Sequence, residues 1–131
     1  MTDRQTNPVM LAPWRIKRAV DFIEMNLATP LHLADIARAA GLSPMHFAAG
    51  FRSATGLSPH AYLRNRRIER AKRKLLSDGL SIDEIAFNVG FRSQSHFITV
   101  FRHLTGQPPA RWRRCCIKNG SPLQEAGQIH Q

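Results

Sequence analysis

Apolar residues recur along the chain at the i, i+3, i+4, i+7 spacing of amphipathic helices, in short stretches punctuated by glycine and proline. Leu33, Ile36, Ala37 and Ala40 form one such set, and Ile82, Ile85, Ala86 and Val89 form another. Gly41 and Gly90 follow these sets by one position, where a left-handed residue ends a helix without steric cost. Ser43 and Ser93 then stand as N-caps of further helices. The inward stripe of the first is predicted to be Phe47, Phe51 and Ala54, and that of the second Phe97, Val100, Phe101 and Leu104. Upstream, Ile16, Val20, Ile23 and Leu27 mark a helix that stops at Thr29-Pro30. A longer helix is predicted from Pro59, with Ser58 as its cap, to Leu76, where Ser77-Asp78-Gly79 ends it. Its apolar line is Ala61, Ile68, Ala71 and Leu75.

The pattern is a duplication. The segment Leu33 to Tyr62 recurs as Ile82 to Trp112, offset by 49 residues and then, past a one-residue insertion, by 50. Ile36, Ala37, Gly41, Ser43, His46, Phe47, Phe51, Arg52, Thr55, Gly56 and Pro59 reappear in order as Ile85, Ala86, Gly90, Ser93, His96, Phe97, Phe101, Arg102, Thr105, Gly106 and Pro109. Each copy reads helix, tight glycine turn, helix, which is the helix-turn-helix plan. The second opens on Ser81-Ile82-Asp83-Glu84, a capping box. The chain is thus predicted to be all-α, with two helix-turn-helix subdomains at 13–57 and 79–114 joined by a linker helix at 58–78. Residues 1–12 and 115–131 lack periodicity and are expected to be flexible tails. The linker helix, about 27 Å long at 1.5 Å per residue, suits a spacer between major-groove faces about 34 Å apart, so the DNA is expected to bend.

With Phe47 and Phe51 turned inward, the outward face of the first copy's second helix carries Met45, Ala48, Ala49 and Arg52. The second copy turns Ser95, Ile98, Thr99 and Arg102 outward, with Gln94 in the exposed first turn. In a helix-turn-helix the second helix enters the major groove by its N-terminal half. The candidate DNA-binding residues are therefore Ser43, Pro44, Met45, Ala48, Ala49 and Arg52 in one copy, and Ser93, Gln94, Ser95, Ile98, Thr99 and Arg102 in the other.

Composition points to the same partner. The formal charge of the 131 residues is +10, and the segment Arg38 to Arg114 holds 14 Lys plus Arg against four acids, 14 − 4 = +10. Phosphates are the natural counter-charge. At 43% apolar residues the chain is too hydrophobic for a disordered basic tail. It shows neither an apolar run long enough to span a bilayer nor a secretory signal, so a cytoplasmic protein with no membrane partner is expected. Adjacent Cys115 and Cys116 agree with a reducing compartment, and their expected role is structural, with soft-metal binding or oxidation sensing as the alternative. No metal motif, phosphate loop or catalytic constellation joins the six histidines, so no cofactor, no metal site and no enzymatic activity are expected. His46 and His96 are read as packing or flanking groups, and Tyr62 and Trp112 as the residues that close each core.

The run Ala86-x-x-x-Gly90-Phe91-x-Ser93-x-x-x-Phe97-x-x-x-Phe101-Arg102-x-x-x-Gly106-x-x-Pro109-x-x-Trp112-Arg113 resembles the signature of the AraC/XylS family of bacterial transcription regulators. The resemblance covers about residues 12 to 114. It implies a unit of about seven helices with two helix-turn-helix motifs on one face of the DNA, and a transcription factor, often an activator that contacts RNA polymerase. The short flanks resemble the family's single-domain members, which bind as monomers. Where well-studied short members carry large polar or aromatic groups, this chain has Met45, Ala48 and Ala49. Alanine touches a thymine methyl but donates no hydrogen bond, so weak base discrimination is expected of the first copy, with Arg52 supplying its polar contact. In the second, Gln94 suits bidentate pairing with adenine, and Ser95, Thr99 and Arg102 add donors. The main reading is a sequence-specific regulator of double-stranded DNA with both second helices in successive major grooves. One alternative is a protein-interaction module in which the first copy docks a protein such as RNA polymerase and only the second reads DNA. Another is the DNA-binding half of a longer chain.

Overall fold

The computed structural model describes residues 10–77 and 79–118. They form seven helices, with no strand among the described residues: α1 Pro13–Met25, α2 Leu33–Ala39, α3 Pro44–Thr55, α4 Pro59–Ser77, α5 Ile82–Asn88, α6 Gln94–Thr105 and α7 Pro109–Lys118. The chain divides into two compact units between Arg66 and Arg67, within α4. The linker helix is therefore not a segment apart from the modules: Leu63 is buried in the first unit, and Ile68, Ala71 and Leu75 in the second.

In the first unit α1, α2 and α3 enclose Ala19, Ile23, Leu27, Ile36, Ala37, Ala40, Phe47 and Phe51, with Leu63 from α4. Phe47 and Phe51 stand 5.3 Å apart, and Tyr62 meets Phe51 edge-on at 5.4 Å. Arg66 of α4 pairs with Glu24 of α1 at 2.6 Å. The second unit repeats the plan with Ile85, Ala86, Val89, Phe91, Phe97, Val100 and Phe101 packed on α4's Ile68, Ala71 and Leu75. Trp112 meets Phe101 edge-on at 5.6 Å, the counterpart of Tyr62 on Phe51. Full burial of one such aromatic contributes roughly 1.5–3 kcal/mol.

The turns form as their residues dictate. Gly41 and Gly90 sit at φ 75° and 104°. The Arg15 guanidinium donates to the Ala40 carbonyl, so a Cβ at Gly41 would lie 2.9 Å from it. In the second unit Arg113 ties α7 to the far end of α4, donating to the carbonyls of Leu75 (2.6 Å) and Leu80 (2.8 Å). Ser58 Oγ accepts from the Ala61 amide at 3.1 Å. The capping box forms as its spacing implies: Ser81 Oγ accepts from the Glu84 amide (3.1 Å), and the Glu84 carboxylate accepts from the Ser81 amide (2.9 Å). In α2, Asp35 does the same for the His32 amide at 3.1 Å.

Three expectations change. Ala54 and Leu104 are exposed, Leu104 by 40%; the buried residues of α3 are Phe47, Gly50 and Phe51, and those of α6 are Phe97, Val100 and Phe101 as expected without Leu104. Ala54 and Leu104 both lie in the last helical turn, which runs past the end of its core even though the helical angle points inward. On α4 the buried residues of the first unit are Pro59 and Leu63, with Ala61 half-buried. The tail expected from residue 115 does not begin there, because α7 continues to Lys118. Trp112, Cys115 and Cys116 are all half-buried at i, i+3, i+4 spacing on α7. The expected tails at 1–9 and 119–131 lie outside the described residues.

Candidate nucleic-acid interface

Each unit presents the N-terminal half of its second helix to solvent. Ser43 caps α3 by accepting from the His46 amide at 3.3 Å, and Ser93 caps α6 by accepting from the His96 amide at 3.1 Å. Ahead of the capped amide α3 keeps only that of Met45, because Pro44 has none, whereas α6 keeps those of Gln94 and Ser95, at the positive end of a helix dipole, a setting that favours phosphate oxygens. On α3, Pro44, Met45, Ala49 and Arg52 are exposed and Ala48 is half-buried. Met45, 83% exposed, has its side chain almost wholly in solvent. On α6, Gln94, Ser95, Thr99 and Arg102 are exposed and Ile98 is half-buried. Every candidate read from the sequence thus lies on the open face of its own helix or at that helix's cap. Arg52 and Arg102, at equivalent positions, have no side-chain hydrogen bond or ion pair among the described residues.

The two faces differ in chemistry. That of α6 offers an amide, two hydroxyls and a guanidinium. That of α3 forms one wall of an apolar groove, in which Pro44, Met45, Ala48, Ala49 and Arg52 are joined by Leu33 at the start of α2 and by Ser58 and Pro59 at the start of α4. Sequence reasoning missed Leu33, Ser58 and Pro59 as part of this surface because a helical wheel treats one helix at a time. The signal available was that Pro59 and Leu33 begin the helices on either side of α3.

Electrostatics favour a polyanion. Asp35 takes up Arg38, Glu69 takes up Lys72 and Glu24 takes up Arg66. Arg52, Arg64, Arg73, Arg92, Arg102, Arg111 and Arg114 are exposed. Glu84 is held below the ordinary carboxylate range by its hydrogen bond from the Ser81 amide and then by the Ser81 hydroxyl, so it stays charged in its capping role. Among the described residues no group of three His, Cys, Asp or Glu could hold a metal ion. His96 packs edge-on against Phe91 at 5.4 Å, and His46 is exposed at the flank of α3. No helix among the described residues is long and apolar enough to cross a membrane.

Two helix-turn-helix units, each with its second helix capped, basic and open to solvent, define a DNA-binding domain. A family model described as a helix-turn-helix domain matches residues 36–115. Among solved structures, the DNA-binding domain of AdpA, a global transcriptional factor, in complex with a target DNA, is 30% identical with a TM-score of 0.77, covering 80% of this chain and 95% of that one. An AraC-type DNA-binding-domain regulator from Chromobacterium violaceum is 30% identical with a TM-score of 0.72, covering 78% of this chain and 90% of that one. The HTH-type transcriptional regulator ExsA of Pseudomonas aeruginosa is 35% identical over 108 residues, 79% of this chain and 39% of its own length. The chain belongs to the AraC/XylS family of transcription regulators, as a domain of the kind that binds double-stranded DNA. It spans from 14% to 53% of the length of the first curated relatives it matches.

Proposed function

We propose that this chain regulates transcription by reading one specific duplex site with α3 and α6, each placed in one of two successive major grooves. The observation that carries the reading is the repeated exposure of the two second helices, with Arg52 and Arg102 unpaired among the described residues at matching positions. The DNA bound to the AdpA domain adds support by similarity. Phosphate contacts from arginines and from the helix N-termini capped by Ser43 and Ser93 fix the register but carry no sequence information. In α6, Gln94 pairs with an adenine edge, Ser95 and Thr99 donate to neighbouring bases, Ile98 meets a thymine methyl, and Arg102 reaches guanine or phosphate. In α3, Pro44, Met45, Ala48 and Ala49 give van der Waals contact and Arg52 the polar contact. One copy of the chain suffices per site, because it supplies both heads.

The test is in vitro site selection followed by footprinting. Protection of about two duplex turns, with base preference in both segments, is expected. A second reading rests on the apolar groove beside α3: that face docks a protein such as RNA polymerase while α6 alone grips DNA. It requires protection of about one turn and a shallower loss of affinity with salt.

A further inference from the structure

The groove beside α3 has a chemistry that the equivalent surface of α6 lacks, and from it we infer that the first unit reads thymine methyl groups. This rests on the proposed reading of DNA by both helices and specifies what the first of them selects. Of the four outward residues of α3, Met45, Ala48 and Ala49 have no hydrogen-bonding side-chain group, and Pro44 ahead of them has none either. No side chain in that set completes a donor and acceptor pattern with a base edge. What remains in the major groove for such a surface is the one apolar feature the bases display, the thymine C5-methyl.

The apolar surface extends beyond α3 itself, because Leu33 and Pro59 from the flanking helices line the same shallow groove as exposed Met45 and half-buried Ala48. A methyl group projecting from a base edge meets carbon neighbours from three helices there, which enlarges the apolar area it can cover. Arg52 stands at the rim, exposed, and the groove is otherwise apolar but for Ser58. A protein occupant would be drawn in by the same apolar wall, but it would meet Arg52 and a chain of net charge +10. The polyanion that carries methyl groups in its major groove satisfies both the wall and the rim. The predicted site therefore has thymines on the α3 side and hydrogen-bonded discrimination on the α6 side.

The experiment uses the intact chain and the duplex it selects. The segment belonging to α3 is identified as the one whose protection is lost in Ala49→Asp, an exposed position. Affinities are then measured for the selected duplex and for the same duplex with deoxyuridine replacing thymidine in that segment only, using the wild type and Met45→Ala. Met45 is a surface side chain, so its truncation leaves the fold intact. Binding is expected to weaken about fourfold for each methyl removed, the equivalent of burying one such group, and the penalty is expected to shrink in Met45→Ala. Unchanged affinity on uracil substitution, in a duplex still bound sequence-specifically, overturns the inference and leaves the DNA reading standing. A footprint confined to the α6 segment overturns both the inference and the two-helix reading on which it rests, and hands the groove to a protein. Failure to select any duplex overturns both.

Discussion

In the proposed reading Gln94 carries the base recognition by α6, since it is exposed in the first turn and its amide offers a fixed donor and acceptor pair that matches the adenine edge. Gln94→Ala is expected to weaken binding to the best site by about 1–3 kcal/mol and to relax one base position; an unchanged selected sequence would refute the assignment. Gly41 is constrained more tightly. With φ at 75° and a Cβ position 2.9 Å from Arg15, Gly41→Ala is expected to destabilise the first unit by about 1–2 kcal/mol, read from the urea midpoint. Glu84 ties stability to pH. Its carboxylate is depressed in the folded state by the Ser81 hydrogen bonds, so its contribution is complete above the ordinary carboxylate pKa of about 4.3 and is lost as pH falls through the lower folded value. Urea midpoints compared at neutral and strongly acidic pH should therefore lie closer together in Glu84→Gln than in the wild type.

The helices obey the periodicity that announces them. Glycine turns, serine caps and the capping box were legible because each depends on a few neighbouring residues whose chemistry is local: Ser81 with Glu84, Ser43 ahead of Pro44, Gly90 after Val89. The paired aromatics were legible from the repeat, since Tyr62 and Trp112 hold equivalent places and each meets the second phenylalanine of its unit edge-on. Ala54 and Leu104 were misplaced because helical phase says which side faces the core but not how far the core extends along the axis. Phase likewise gave the outward residues of α3 but not the groove, since Leu33 and Pro59 come from other helices. Within α6, Phe97 is fully buried and touches Phe91 and Phe101. Phe97→Ala is expected to cost about 3–5 kcal/mol, visible as a lowered thermal midpoint.

For the chain as a body, charge is the controlling quantity. A net +10 with two open basic faces predicts a steep linear fall of log affinity with log salt, about −0.9 for each phosphate neutralised. If Arg52 lies on a phosphate, Arg52→Ala flattens that slope by about 1 and weakens all sequences alike; if it reads a base, the slope holds and the preferred sequence changes. Measuring affinity over a range of salt concentrations separates the two.

The division of the chain inside α4 has a practical outcome for anyone cutting the molecule in half. A cut between Arg66 and Arg67 splits its 19 residues into eight on one side (59–66) and eleven on the other (67–77), both below the about 12–15 residues at which an isolated helix holds its own in water. Leu63 would then hang from a fraying stub, and Ile68 from another. Separately expressed halves should therefore overlap, each retaining the whole of Pro59–Ser77, and a gene fusion or domain swap that respects the apparent boundary would damage both partners at once.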